Sequence, residues 1–84
     1  MKLLHFTADW CQPCKMIKPK IDKYINSHPE IEYVRVDIEE DFETAKEFNV
    51  MGIPTLVVIN DGVVINRHVG MADDKKIESL FEIK

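Results

Sequence analysis

The spacing of apolar residues changes several times along the chain, and each spacing predicts a different element. Residues 2–7 form a short apolar run that predicts a strand. From Pro13 to about Ser27, side chains recur every three or four positions on what would be one helix face. The positions on this face are Ile17, Ile21, Tyr24, Ile25 and His28. Residues 31–38 are rich in β-forming residues and predict a second strand.

Prolines and aromatic residues define the first two helices. Pro19 should kink or locally break the first helix, and Pro29 should end it. A short second helix is marked by Phe42 and Phe48, which we expect to lie in the core, and it should end near Asn49.

The last third of the chain predicts a hairpin followed by a helix. Residues 55–59 are almost continuously apolar, as expected of a strand covered on both faces. The pair Asp61-Gly62 predicts a tight turn into a strand over 63–69. The final helix should be capped by Asp73 or Asp74. Its inner face should consist of Ile77, Leu80, Phe81 and the aliphatic stem of Lys84.

The order of these elements predicts the fold class. A β-α-β-α-β-β-α order implies an α/β fold, in which a four-stranded mixed sheet carries helices on both faces. We find no linker, repeat or low-complexity stretch, so residues 1–84 should form a single domain.

Composition and charge limit the classes of partner. The net charge is −4, and Lys and Arg do not cluster, which disfavours nucleic acid or an anionic membrane as a partner. Residues 1–6 are too short for the apolar core of a signal peptide, and no apolar run approaches a membrane span. We therefore expect a cytoplasmic protein, and we expect it to be a monomer.

The only two cysteines, Cys11 and Cys14, lie three residues apart at the start of the first helix. Residues three apart on a helix have Cβ atoms about 5–6 Å apart, whereas a relaxed disulfide needs about 3.5–4.5 Å. A bridge between them would therefore be labile and would close too short a loop to act as a staple. The pair is typical of a reversible dithiol–disulfide.

The helix makes the two cysteines unequal. Pro13 suits the first helical position, which leaves Cys11 at the helix mouth, where free amides and the dipole favour a thiolate. Cys14 lies one turn in and should be better shielded, while Lys15 and Lys18 add positive charge. We therefore assign Cys11 as the nucleophile and Cys14 as the resolving thiol.

Metal binding is the alternative use of such a pair. A structural zinc site needs about four ligands, and two cysteines supply half of them unless His5 joins or two chains pair. An iron–sulfur cluster shared between two chains meets the same shortage of ligands.

With this order of elements in place, the chain resembles the thioredoxin family from residue 3 to its C-terminus. The motifs that carry the resemblance are the active-site segment from Phe6 to Met16, the helix proline Pro19, the loop Gly52-Ile53-Pro54-Thr55, the turn Asp61-Gly62 and the pair Val69-Gly70. The spacing between these motifs also resembles that of the family. The fold implied is a compact thioredoxin fold.

The resemblance implies a protein-disulfide reductase with no bound cofactor, whose redox-active group is the Cys11–Cys14 disulfide. Electrons would come from NADPH indirectly, through a thioredoxin-type reductase, and the partners would be proteins that contain disulfides. The implied substrate surface consists of Trp10, Ile53, Pro54 and Gly70, with Met51 and Met71 as further candidates. Pro54 would be in cis, opposite the cysteines.

Two residues depart from the family pattern. Gln12 replaces the usual glycine after the first cysteine, and His5 stands where the family usually buries an aspartate that relays protons. His5 is therefore either a proton relay or an ordinary core histidine with a backbone or carboxylate partner. Burial and a nearby Arg35 would both lower the pKa of His5.

A protein recycled by glutathione is the alternative within the same class of enzymes. The small size resembles the glutaredoxins. The chain has no Cys-Pro-Tyr-Cys segment, however, and no Gly-Gly pair near Gly70 of the kind that glutaredoxins use for glutathione.

Overall fold

A computed structural model describes residues 1–82 and confirms the order of elements. The elements are β1 (Lys2–Thr7), α1 (Gln12–Asn26), β2 (Glu32–Asp37), α2 (Phe42–Glu47), β3 (Thr55–Asn60), β4 (Val63–Val69) and α3 (Asp74–Ser79). The predicted contribution of Lys84 to the last helix lies outside the described residues.

The four strands form one mixed sheet in the order β2-β1-β3-β4. β1 pairs in parallel with β2, whereas the β1–β3 and β3–β4 pairs are antiparallel. In this register His5 lies in the centre of the sheet, between Arg35 on β2 and Leu56 on β3. The predicted α/β architecture is therefore confirmed.

Alternate residues of each strand supply the two faces of the core. One face packs against α1 and α3 through a cluster that includes Leu3, Ile17, Ile21, Leu56 and Ile77. The other face packs towards α2 through Leu4, Phe6, Val36, Ala45 and Val57. Helices therefore cover both faces of the sheet, as predicted, and His5 shares the α1 face with Leu3.

The helix boundaries follow from capping side chains. Cys11 caps α1, while Asp41 and Asp73 cap α2 and α3 by accepting hydrogen bonds from the amides of Thr44 and Lys76. Pro19, predicted to kink or locally break the first helix, does not break it, and α1 continues through this residue to Asn26. The proline ring leaves the carbonyl of Lys15 without an amide donor, and Lys15 is exposed to solvent.

The second helix corrects one prediction about the core. Phe48 packs against the cluster on the α2 face, as expected, but Phe42 is 67% exposed. Phe42 is the first residue of α2, and its side chain lines a surface groove instead of the core.

Three backbone features shape the two ends of the β3–β4 hairpin, with the Asp61-Gly62 turn at one end and the Ile53–Pro54 peptide bond and Gly70 at the other end, near the cysteines. The turn at Asp61-Gly62 has positive φ at both residues, 53° and 79°, which is the hairpin conformation that this dipeptide predicts. The Ile53–Pro54 peptide bond is cis. Gly70, just after β4, has φ of 99°, a conformation that favours glycine.

Candidate active site

Cys11 and Cys14 form a disulfide at the start of α1, with their Cα atoms 5.3 Å apart. The sulfur of Cys11 accepts a hydrogen bond from the backbone amide of Cys14 at 3.2 Å. An amide donor and the positive end of the helix dipole both stabilise negative charge on this sulfur. The sequence-based contrast in shielding is not seen in the oxidised protein, since Cys11 is 4% and Cys14 2% exposed.

The two lysines expected to add positive charge differ in their contacts. Lys15 is exposed. The amine of Lys18 donates to both carboxylate oxygens of Asp22, at 2.7 and 2.9 Å, and lies 5.4 Å from the centre of the Tyr33 ring. Asp22 therefore partly compensates the charge of Lys18, which still lines the same cavity as Cys14.

His5 is 1% exposed and shares this cavity with Cys14. The cavity has a volume of about 110 Å³ and is also lined by Thr7, Ala8, Asp9, Lys15, Lys18 and Arg35. The Nδ1 atom of His5 lies 2.9 Å from the hydroxyl of Tyr33. The Nε2 atom is buried and has no hydrogen-bond partner among residues 1–82.

The surroundings of His5 keep its imidazole neutral. The pKa of His5 is lowered from 6.5 to about 4. Burial is the main cause, and the positive charges of Lys18 and Arg35 are smaller causes of the same shift. The guanidinium of Arg35 binds Asp9 at 3.1 Å and lies 3.8 Å from Asp37, and so it is paired with acids. Burial also raises the pKa of Tyr33 to about 12, so its hydroxyl stays protonated.

The predicted substrate residues lie around the disulfide. Ile53 packs against the cluster of Ala8, Cys11 and Cys14. Trp10 is 65% exposed, Ile53 and Gly70 are half-buried, and Pro54 is buried. Because Pro54 is buried, it contributes to the shape of this surface and not to its exposed area. Trp10 supplies most of the exposed apolar area of these four residues.

A groove of about 410 Å³ runs from Trp10 towards α2. It is lined by Trp10, Ile38, Phe42, Ala45, Val50, Met51, Gly52 and Ile53. Met51 is 94% exposed, which agrees with its assignment as a candidate contact. Phe42 was wrongly predicted to be buried because a phenylalanine in a helical pattern usually lies in the core. Its position in the first turn of the helix, after an acidic run, was the one signal of exposure.

The contact that holds Trp10 was also not predicted from the sequence. The indole N–H of Trp10 donates a hydrogen bond to the carboxylate of Glu39. Glu39 follows β2, where the buried carboxylate of Asp37 accepts hydrogen bonds from the amides of Glu39 and Glu40 at 2.8 and 3.3 Å. Asp37 thus fixes the loop that orients the indole.

Two further observations concern metal binding and membrane insertion. Within residues 1–82, no group of three or more His, Cys, Asp or Glu side chains could hold a metal ion. In the same part of the chain, none of the helices has the length and apolar character needed to cross a membrane.

Comparison with known proteins identifies relatives of this site and fold. A family model described as Thioredoxin matches residues 1–82. Thioredoxin-2 of Pyricularia oryzae is 40% identical over 79 residues, which cover 94% of this chain and 46% of that protein. The thioredoxin of Bacillus subtilis is 38% identical over 79 residues, which cover 93% of this chain and 76% of that protein.

The similarity extends to solved structures. The X-ray structure of Fasciola hepatica thioredoxin has a TM-score of 0.89 and 34% identity, and the match covers 99% of this chain and 80% of that one. The chain spans about half the length of the first curated relatives that it matches. The glutaredoxin-like and metal-binding alternatives are not favoured by these matches, and the chain belongs to the thioredoxin family.

Proposed function

We propose that this chain catalyses thiol–disulfide exchange and reduces disulfide bonds in other proteins. The observation that carries the proposal is the Cys11–Cys14 disulfide at the start of α1, beside an apolar groove and the cis peptide bond at Pro54. A reversible dithiol beside an exposed apolar surface suits a substrate that is itself a protein.

The reaction begins with the reduced pair. The thiolate of Cys11, supported by the helix N-terminus and the amide of Cys14, attacks one sulfur of the substrate disulfide. The substrate S–S bond breaks, a mixed disulfide forms on Cys11, and the other substrate sulfur leaves as a thiolate and takes up a proton. Cys14 then attacks the sulfur of Cys11, which releases the second substrate thiol and restores the disulfide.

His5 is the base that we assign to the second step. Cys14 must lose a proton before it attacks, and His5 lines the same cavity with a ring nitrogen that has no hydrogen-bond partner among residues 1–82. The pKa of about 4 belongs to the oxidised protein. A thiolate at Cys14 would add an opposite charge in the cavity that His5 lines and would raise the pKa of His5.

Substrate binding is assigned to the surface of Trp10, Ile53, Pro54 and Gly70, extended by Phe42 and Met51 along the groove. Exposed aromatic and methionine side chains offer large and adaptable apolar contacts. This surface can therefore accept substrates of varied sequence around their disulfides.

The cycle needs an external source of two electrons. We assign this role to a thioredoxin-type reductase that draws on NADPH, and we assign the chain to the cytoplasm as a monomer. The reducing conditions of that compartment suit a dithiol that must be regenerated after each turnover.

Serine variants of the two cysteines test the reaction. In an insulin-reduction assay, Cys11→Ser should lose activity because no nucleophile remains, whereas Cys14→Ser should still attack and accumulate a mixed disulfide visible by mass spectrometry. Full turnover by Cys14→Ser, or a trapped substrate on Cys11→Ser, would contradict the assignment.

The electron donor is tested with two parallel assays. One couples insulin reduction to a thioredoxin reductase with NADPH, and the other couples it to glutathione with glutathione reductase. We expect faster recycling in the first assay. Efficient turnover with glutathione and no response to the reductase would instead support the glutaredoxin-like alternative.

A further inference from the structure

The two ring nitrogens of His5 have different environments. Nδ1 lies 2.9 Å from the hydroxyl of Tyr33, a residue on the neighbouring strand β2. Nε2 is buried without a partner among the described residues, although His5 lines the cavity beside Cys14. A neutral imidazole carries one proton, so the bond at Nδ1 decides whether Nε2 is a donor or an acceptor.

The cavity favours an unprotonated Nε2. If the Tyr33 hydroxyl donated to Nδ1, the ring proton would lie on Nε2 as a buried donor without an acceptor in the described part of the chain, which is a rare state. Three charged residues that line the cavity are cations, Lys15, Lys18 and Arg35, and the carboxylate of Asp9 is bound to Arg35. Asp22 is bound to Lys18 and acts on His5 in the opposite direction, but its effect is smaller than those of Lys18 and Arg35. Cations near the ring are better matched by a lone pair than by an N–H group.

The hydroxyl of Tyr33 can serve as the acceptor of the Nδ1 proton. Tyr33 is only partly buried, and the arrangement requires its own hydroxyl proton to be donated to solvent. Its hydroxyl oxygen then accepts from Nδ1–H, and all protons of the pair have acceptors.

We propose that Tyr33 is a positioning residue that accepts a hydrogen bond from His5 Nδ1–H. This bond keeps the proton on Nδ1 and leaves Nε2 unprotonated, so that Nε2 can accept the thiol proton of Cys14. This inference rests on the proposed function, because it concerns the second step of the exchange reaction. Tyr33 itself touches neither the cysteines nor the substrate in this scheme and acts through His5.

The step balances in protons and electrons. The thiol proton of Cys14 moves to Nε2, and the Cys14 thiolate attacks the sulfur of Cys11. The new Cys11–Cys14 bond forms while the bond from Cys11 to the substrate sulfur breaks, and that sulfur leaves with the electron pair. The imidazolium of His5 returns its proton through the cavity to solvent or to the departing thiolate, and no further oxidant is needed.

The tautomer itself can be measured on the unmodified protein. The ¹⁵N chemical shifts of the His5 ring distinguish a protonated from an unprotonated nitrogen, and we expect the proton on Nδ1 near neutral pH. A proton found on Nε2 in the wild-type protein would overturn the proposal without any variant.

The kinetic test compares the two tyrosines of the chain. Tyr33→Phe keeps the ring but removes the acceptor, and we expect resolution of a preformed mixed disulfide to slow about tenfold because part of the population adopts the wrong tautomer. Tyr24→Phe is the matched control, since the Tyr24 ring stacks on His28 and Phe81 away from the cavity. Attack by Cys11 on the substrate should keep its rate in both variants.

A double-mutant cycle separates positioning from a structural effect. If Tyr33 acts through His5, Tyr33→Phe should change the resolution rate no further in a His5→Leu background. Equal slowing in both backgrounds, or the same rate for Tyr33→Phe and Tyr24→Phe, would contradict the proposal. Failure of the proposed function would look different, because the wild-type protein would then form no mixed disulfide, while the tautomer measurement would still stand.

Discussion

The backbone amide of Gly70 donates a hydrogen bond to the carbonyl of Pro54, at 2.8 Å. Pro54 precedes β3 and Gly70 follows β4, so this bond joins the ends of two adjacent strands beside the disulfide. It holds the cis-proline loop against the end of the hairpin, and both loops belong to the assigned substrate surface. Gly70 makes the bond at φ of 99°, where a side chain would strain the backbone.

Gly70→Ala should therefore lower the free energy of unfolding by about 1–3 kcal/mol. A Cβ at this position would meet nothing within 4 Å, so the cost would come from the backbone and not from a clash. The measurement is urea denaturation followed by circular dichroism.

Gly52→Ala provides the matched control in the same region. Its Cβ would make an ordinary contact with Val69 at 3.6 Å, and the backbone there does not have the left-handed φ of Gly70. We expect a small effect on stability. Equal free energies of unfolding for the two variants would contradict the role assigned to the Gly70 backbone.

A second prediction concerns the exposed indole. Trp10→Ala should lower kcat/KM for insulin about tenfold, which corresponds to about 1.4 kcal/mol of lost apolar contact. Reduction of a small soluble disulfide should change little, because such a substrate does not reach the groove. Steady-state kinetics with both substrates would separate these effects.

Met16→Ala is the control for an exposed apolar side chain outside the groove. Met16 is 64% exposed on α1, close to Trp10 at 65%, but it does not line the groove. Its loss should leave insulin reduction near the wild-type rate. A similar decrease for Met16→Ala, or an equal decrease for both substrates with Trp10→Ala, would argue against docking on Trp10.

Local sequence patterns were sufficient to predict most of the fold. The strands and helices follow from apolar spacing and capping, because these depend on residues a few positions apart. The turn at Asp61-Gly62 is a similar case, since its conformation depends on the two residues themselves. The placement of the cysteine pair at a helix start was likewise local.

The contacts around His5 and Trp10 could not be predicted from local sequence patterns. The bonds His5–Tyr33 and Trp10–Glu39 join residues 28 and 29 positions apart in the chain. They depend on the register of β1 with β2, which pairs Leu3 with Tyr33 and brings the tyrosine to the face of His5. Hydrophobic periodicity identifies a buried face but does not select the partner strand or its register.

The last prediction concerns the pH dependence of stability. The pKa of His5 is about 4 in the folded protein against an ordinary value of 6.5, with burial as the main cause. As pH falls below 6.5, the unfolded chain binds a proton that the folded protein does not, and so folding loses stability down to about pH 4. The full loss corresponds to about 3 kcal/mol, and above pH 6.5 this contribution to the pH dependence vanishes.

His5→Leu should remove this part of the pH dependence, because leucine does not titrate. The measurement is the free energy of unfolding in urea at several pH values, taken as the difference between the variant and the wild-type protein so that the carboxylates common to both cancel. The difference should grow in favour of His5→Leu as pH falls from 6.5 to about 4. Tyr33→Phe should keep most of the wild-type dependence, since it leaves His5 buried beside Lys18 and Arg35. A difference between His5→Leu and wild type that stays constant over this range would show that His5 is protonated equally in the folded and unfolded states.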